Sequence, residues 1–161
     1  MINFIAMKAF MIIAIIALMS NTSLVQAQAP EVAYDSTLAK SLGADAYGMK
    51  MYVFVLLKTG SNTVTEKAVR DSLFAGHFAN MDRMVKAGQL VVAGPMEKNE
   101  EGYRGIFILN VPDFAAAEAL LQNDPAIKEK VLEPMLYHWY GSAALPLYLD
   151  DHKRIQAEQI E

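Results

Sequence analysis

The chain has 161 residues, 53% of them apolar and 20% charged, which is material for one well-buried core, so a single domain is expected. With a net charge of -4 and no Lys/Arg run longer than Lys153-Arg154, it lacks the electrostatic footprint of a nucleic-acid binder. The absence of cysteine excludes disulfides, thiolate nucleophiles, zinc-thiolate sites and a lipid-attachment cysteine.

Ala9 to Met19 is an unbroken apolar run of 11 residues behind Lys8, and polar residues follow from Ser20. That profile predicts a signal peptide over residues 1–27, with small residues at Val25 and Ala27 favouring cleavage after Ala27. The run is far shorter than the ~20 residues a spanning helix needs, so no membrane span is expected after cleavage. A periplasmic or secreted location follows. A start at Met7 instead of Met1 would put Lys8 right at the N-terminus, and both starts stay open.

Residues 28–48 read as a lead-in segment whose short apolar pattern, Leu38 to Leu42, stops at Gly43. Met51 to Leu57 is rich in β-branched and aromatic residues and closes at Thr59-Gly60, the signature of a first strand. Thr63 and Glu66 have capping-box spacing, opening a helix in which Phe74, Phe78, Met81 and Val85 recur at offsets 0, 4, 7 and 11 and which Lys86 and Gly88 finish. Gly76 in its interior is unfavourable by up to ~1 kcal/mol against Ala, which argues for a later start. Leu90 to Ala93, stopped by Gly94-Pro95, and Tyr103 to Val111 read as a hairpin. Pro112 is placed as the first residue of a helix carrying Phe114, Ala117 and Leu121, and Asp124-Pro125 restarts a short helical turn. Leu132 to Tyr140 is the fourth strand, with Pro134 pointing to a sheet edge. The tail, residues 141–161, alternates Leu145, Leu147 and Leu149 and turns polar from Asp150, as a short surface helix does.

The order βαββαβ over residues 49–140 predicts an α+β fold of the ferredoxin-like kind. In the first strand Tyr52, Phe54 and Leu56 point one way and Val53, Val55 and Leu57 the other, and Ile106 to Leu109 repeat this. Both sheet faces are therefore apolar. Helices cover one, and a second copy of the chain is the expected cover for the other, taken here as the Val53/Val55 face.

His77 falls within the apolar arc of its helix, among Phe74, Leu73, Met81 and Met84. It reads either as a half-buried histidine satisfied by a backbone carbonyl or as a neutral general base. Asp124, directly before Pro125, has the position of a helix N-cap, and the same carboxylate is also able to orient an imidazole. Tyr52, Arg70, Arg104 and Trp139 are candidates for lining a cleft and holding an anionic or aromatic ligand, although strand aromatics usually belong to the core and arginines to the surface. No metal is expected, since His77, Asp124 and His138 have no ligand spacing. Nor does Ser72 have a nucleophile-elbow context.

The stretch GHFANMDRMVKAGQLVVAGP, then YRGIFILNV, then NDPAIKEKVLEPMLYHWYGSAAL resembles the YCII-related family over roughly residues 50–145. The resemblance rests most on the histidine of the first helix, on Gly94-Pro95 and on Asp124-Pro125. It implies a ferredoxin-like fold pairing into a dimeric α+β barrel, and it implies a His/Asp dyad, here His77 and Asp124, as the active site. An activity associated with the family is removal of chloride from a chlorinated hydroxyquinol. The export signal, the lead-in and the tail set this chain apart from shorter members.

The expected function is a cofactor-independent enzyme acting on a small, cyclic or aromatic organic molecule, by isomerisation, elimination or hydrolysis. His77 is the acid/base and Asp124 its partner. The alternative is a non-catalytic periplasmic dimer that binds a small ligand in the same cleft.

Overall fold

The structure is a computed structural model that describes residues 32–158; the predicted signal segment, 1–27, lies outside the described residues. The elements run α1 (Ser36–Leu42), β1 (Met49–Thr59), α2 (Lys67–Lys86), β2 (Leu90–Pro95), β3 (Tyr103–Leu109), α3 (Phe114–Leu121), α4 (Pro125–Lys128), β4 (Leu132–Ser142), a 3-10 turn (Leu145–Tyr148) and α5 (Leu149–Ile155). The four strands form one sheet in the order β2-β3-β1-β4, and the β2-β3, β1-β3 and β1-β4 pairs are all antiparallel. This is the ferredoxin-like arrangement the element order predicted. Pro134 lies on β4, at the sheet edge, where a residue without an N–H is tolerated.

Aspartate side chains cap the starts of α1, α3 and α4. Asp35 opens α1 by accepting from Thr37 N and Leu38 N, and Gly43 closes it at φ 69, a left-handed conformation that suits glycine. The expected capping box at Thr63 does not form, and α2 begins at Lys67 with Glu66 in the N-cap position. Gly60 N bonds Val131 O and Asn62 N bonds Lys130 O, and these bonds hold the preceding loop against the α4–β4 connection. Pro112 likewise is not the first residue of α3. Asp113 caps that helix by accepting from Ala116 N.

The core lies between the sheet and the helices. Val53, Val55, Leu57, Phe107 and Leu109 meet Met84 of α2, Ala117 and Leu121 of α3, and Ala126 and Ile127 of α4. The Val53/Val55 face is thus the covered one, contrary to the expectation from sequence. Both strand parities are apolar, so composition gives no sign of which way the helices fold back. The outer face carries Tyr52, Val91 and Ile108, with Phe54, Val92 and Leu145 against them. Leu145 comes from the tail, and the Tyr148 hydroxyl donates to Val91 O of edge strand β2, so the tail itself covers this end of the outer face. At the other end Tyr137 and Trp139 remain 45% and 38% exposed. No described helix is long and apolar enough to cross a membrane.

Candidate active site

The periodic stripe Phe74, Phe78, Met81 and Val85 is only half-buried; the residues of α2 that face the core are His77, Asn80 and Met84. Two of these three are polar, and each is anchored on another element. Asn80 Nδ2 donates to Leu120 O at the end of α3 (3.4 Å) and Arg83 donates to Asn80 Oδ1. His77 Nδ1 meets Asp124 Oδ2 at 2.5 Å. The apolar stripe is left free to wall a cavity.

Asp124 combines both of the roles open to it from sequence. Fully buried, it uses Oδ1 to accept from Ala126 N (2.9 Å) and Ile127 N (3.4 Å), capping α4, and Oδ2 to engage the imidazole. With the carboxylate as acceptor, Nδ1 carries a proton, and in the neutral ring Nε2 then has the lone pair, an assignment made from the hydrogen-bond partner. Gly76 allows the approach. A Cβ at that position would stand 2.6 Å from Pro125 Cγ, so only a glycine next to His77 lets α4 come close enough for the dyad.

His77 is 6% exposed and set among aromatic rings: Phe107 stacks on it at 5.8 Å, and Phe78 and Phe74 present edges at 5.5 and 6.0 Å. Among the described residues every sealed polar side-chain atom has a partner, and Nε2 has none, so Nε2 is not sealed. His77 borders a cavity of about 280 Å³ walled by Leu57, Phe74, Phe78, Met81, Phe107 and Leu132, with Ala93-Gly94-Pro95 and Gly105 at the sheet side. His77 and Arg104 are the polar side chains in that lining. An imidazole with one nitrogen fixed and the other open to a small apolar chamber is equipped to take a proton from a bound molecule and return it.

Of the other candidates, Arg104 borders the cavity, and Arg70 lines the recess that adjoins it and shares Phe74, Arg104 and Leu132 with it. Tyr52 and Trp139 are not brought to the dyad, which corrects the sequence reading. They lie on the outer face, their rings 5.8 Å apart, and the Tyr52 hydroxyl donates to Ser142 O. Strand alternation puts Tyr52 opposite Val53 and Val55, which face the helices. His138 stacks on Phe114 at 4.1 Å. No three His, Cys, Asp or Glu side chains come together among the described residues. Sequence reasoning missed Phe107, Asn80 and the role of Gly76, whose unfavourable place inside a helix was the available signal.

A family model, the YCII-related domain, matches residues 51–137. The chain belongs to the YCII-related family. The match runs from within β1 to within β4, so it takes in His77, Asp124 and the whole cavity lining, and leaves the lead-in and the tail outside the YCII-related domain. No curated protein matches. Among solved structures, one similar chain is the 5-chloro-2-hydroxyhydroquinone dehydrochlorinase from Burkholderia phenoliruptrix AC1100, in complex with 2,5-dihydroxybenzoquinone. It is 17% identical, over 54% of this chain and 92% of that one, with a TM-score of 0.39.

Proposed function

We propose that this protein is an enzyme acting on a small organic molecule by His/Asp acid-base chemistry. The observation that carries the reading is the 2.5 Å contact of His77 Nδ1 with Asp124 beside an apolar cavity on which His77 borders. His77 Nε2 takes a proton from an acidic C–H, an O–H or a water, and Asp124 holds the ring in one tautomer and offsets the positive charge that forms. Isomerisation, elimination such as dehydrohalogenation, and hydrolysis by an activated water all fit this step. A proton transfer of this kind needs no cofactor.

Proton exchange tests the reading without a named substrate. A panel of small carbonyl and hydroxyaromatic compounds is incubated with the protein in D2O, and deuterium incorporation is read by NMR. Incorporation that wild type catalyses and His77→Gln does not is the expected result; incorporation equal in both sinks the reading. One observation favours the alternative, a protein that binds its ligand without turning it over: among the described residues no second proton-transfer side chain lines the cavity. Ligand-dependent thermal stabilisation with no exchange would select it.

Two further parts of the reading lie outside the cavity. A second copy of the chain covers the β1-β4 end of the outer face, where Phe54 and Leu56 adjoin the exposed Tyr137 and Trp139, making a homodimer. The apolar N-terminal run directs export to the periplasm or beyond, which N-terminal mapping of the mature protein checks.

A further inference from the structure

The cavity has an arginine at its rim, and ordinary strand alternation does not explain how it gets there. The β1-β3 register runs Leu56↔Ile106, Leu57↔Gly105 and then Lys58↔Tyr103, so Arg104 is an extra residue with no partner on β1. Alternation would send its side chain to the outer face with Ile106. The bulge interrupts that alternation, a common use of bulges next to functional sites, and Arg104 lines the helix-side cavity together with Gly105. There Arg104 borders both the dyad cavity and an adjoining recess of about 210 Å³, which Arg70 lines from α2. Arg70 stands about one turn before Phe74 on the same side of the helix. Both arginines are exposed, and among the described residues neither forms an ion pair.

The geometry points to an anion subsite in which Arg104, assisted by Arg70, holds the negatively charged group of the ligand while its apolar body fills the cavity against His77. This rests on the acid-base reading of His77 and adds the substrate class. The ligand has a flat apolar body, suited to Phe74, Phe78 and Phe107, and one anionic oxygen group, a carboxylate or an enolate or phenolate oxygen. A guanidinium fork suits such oxygens better than an ammonium.

Benzoate and benzamide, alike in shape and one charge apart, are the probes, titrated calorimetrically into wild type, Arg104→Met, Arg104→Lys and His77→Gln. Wild type is expected to bind benzoate at least about tenfold tighter than benzamide, as one charge-assisted hydrogen bond allows. Arg104→Met loses that preference with its unfolding midpoint unchanged, Arg104→Lys keeps part of it, and in His77→Gln any preference that remains is again lost on adding Arg104→Met. Equal binding of both probes by wild type, failure of benzoate to bind at millimolar concentration, or a preference that survives Arg104→Met overturns the subsite. Deuterium exchange judges the dyad separately. An Arg104-dependent preference without His77-dependent exchange sinks the acid-base reading alone, and exchange without the preference sinks the subsite alone.

Discussion

On the helix side of the sheet Val53, Val55, Leu57, Phe107 and Leu109 are sealed beneath α2, α3 and α4, whereas on the outer side Phe54, Leu56 and Ile106 are half-buried and Tyr137 and Trp139 stay exposed. Apolar content does not separate the two faces. The buried polar side chains do, since His77, Asn80 and Asp124 all lie on the helix side, each with a partner. Polar groups out of water are favourable only in one arrangement, so they fix how α2, α3 and α4 dock where apolar contacts alone would allow sliding. The same three groups leave an apolar chamber with one open imidazole. The helix side therefore holds the buried polar groups and the cavity on which the proposed function rests, and the outer side presents partly exposed aromatic rings.

The harshest way to break that contrast is to remove the carboxylate that serves both roles. Asp124→Ala uncaps α4 and leaves His77 Nδ1 unpaired in the interior, with an expected loss of roughly 3 kcal/mol or more by urea denaturation. Asp124→Asn keeps the cap and most of the shape, so it should lose only about 1–2 kcal/mol while the ring tautomer, read from 15N shifts, becomes mixed. An Asn variant with an unmixed tautomer would mean that Asp124 matters only as a cap. In His77→Gln the exchange rate should fall by ~10²–10⁴.

Next in size is the glycine beside the dyad. Ala for Gly inside a helix normally gains up to ~1 kcal/mol, but at Gly76 the new methyl meets Pro125, and a net loss of about 1–2 kcal/mol is expected with weakened exchange. Gly94→Ala, where nothing stands within 4 Å, is the control and should stay within about 0.5 kcal/mol. A Gly76→Ala protein as active and stable as wild type would disprove the link from helix approach to dyad.

Part of this was legible in the chain. Strand order, the hairpin and the Asp124-Pro125 turn follow from turn residues and short β-branched runs, whose signals are local. His77 stood out as a histidine inside an apolar arc. Three features were not legible, because each depends on distant contacts. The identity of the covered face was hidden by two apolar parities. The direction of Arg104 depends on a bulge that exists only in the β1-β3 register. The start of α2 is delayed by backbone bonds to Lys130 and Val131, on the far side of the fold. The periodic stripe on α2 was legible as a helical pattern, but not that Phe74 and Met81 both pack against the core and line the cavity.

The outer face sharpens the comparison by what it should fail to do. Tyr137→Glu with Trp139→Glu places charge on partly exposed positions, so the folded subunit should change by less than about 1 kcal/mol. Light scattering at micromolar concentration should nevertheless find dimer in wild type and monomer in the variant. Wild type that is already monomeric would leave the tail, through Leu145 and Tyr148, as the cover of that face.

The smallest effect comes from the C-terminal end of β4, where the Tyr140 hydroxyl donates to Asp45 of the lead-in segment. This bond holds the Asp45 carboxyl below its usual 3.8, and Asp45 in turn pushes the Tyr140 hydroxyl above its usual 10.0. A lowered carboxyl contributes stability above 3.8 that is lost as pH falls through the lower folded value, and a raised phenol contributes stability below 10.0 that is lost as pH rises through the higher folded value. Both partners are exposed, so the contribution is screened by water and salt. The difference in unfolding midpoint between wild type and Tyr140→Phe should therefore form a low plateau at neutral pH that fades at both the acid and the alkaline end. A difference constant across the whole range would assign Tyr140 to contact alone, and none at any pH would mean that the lead-in is not fastened to β4 by this bond.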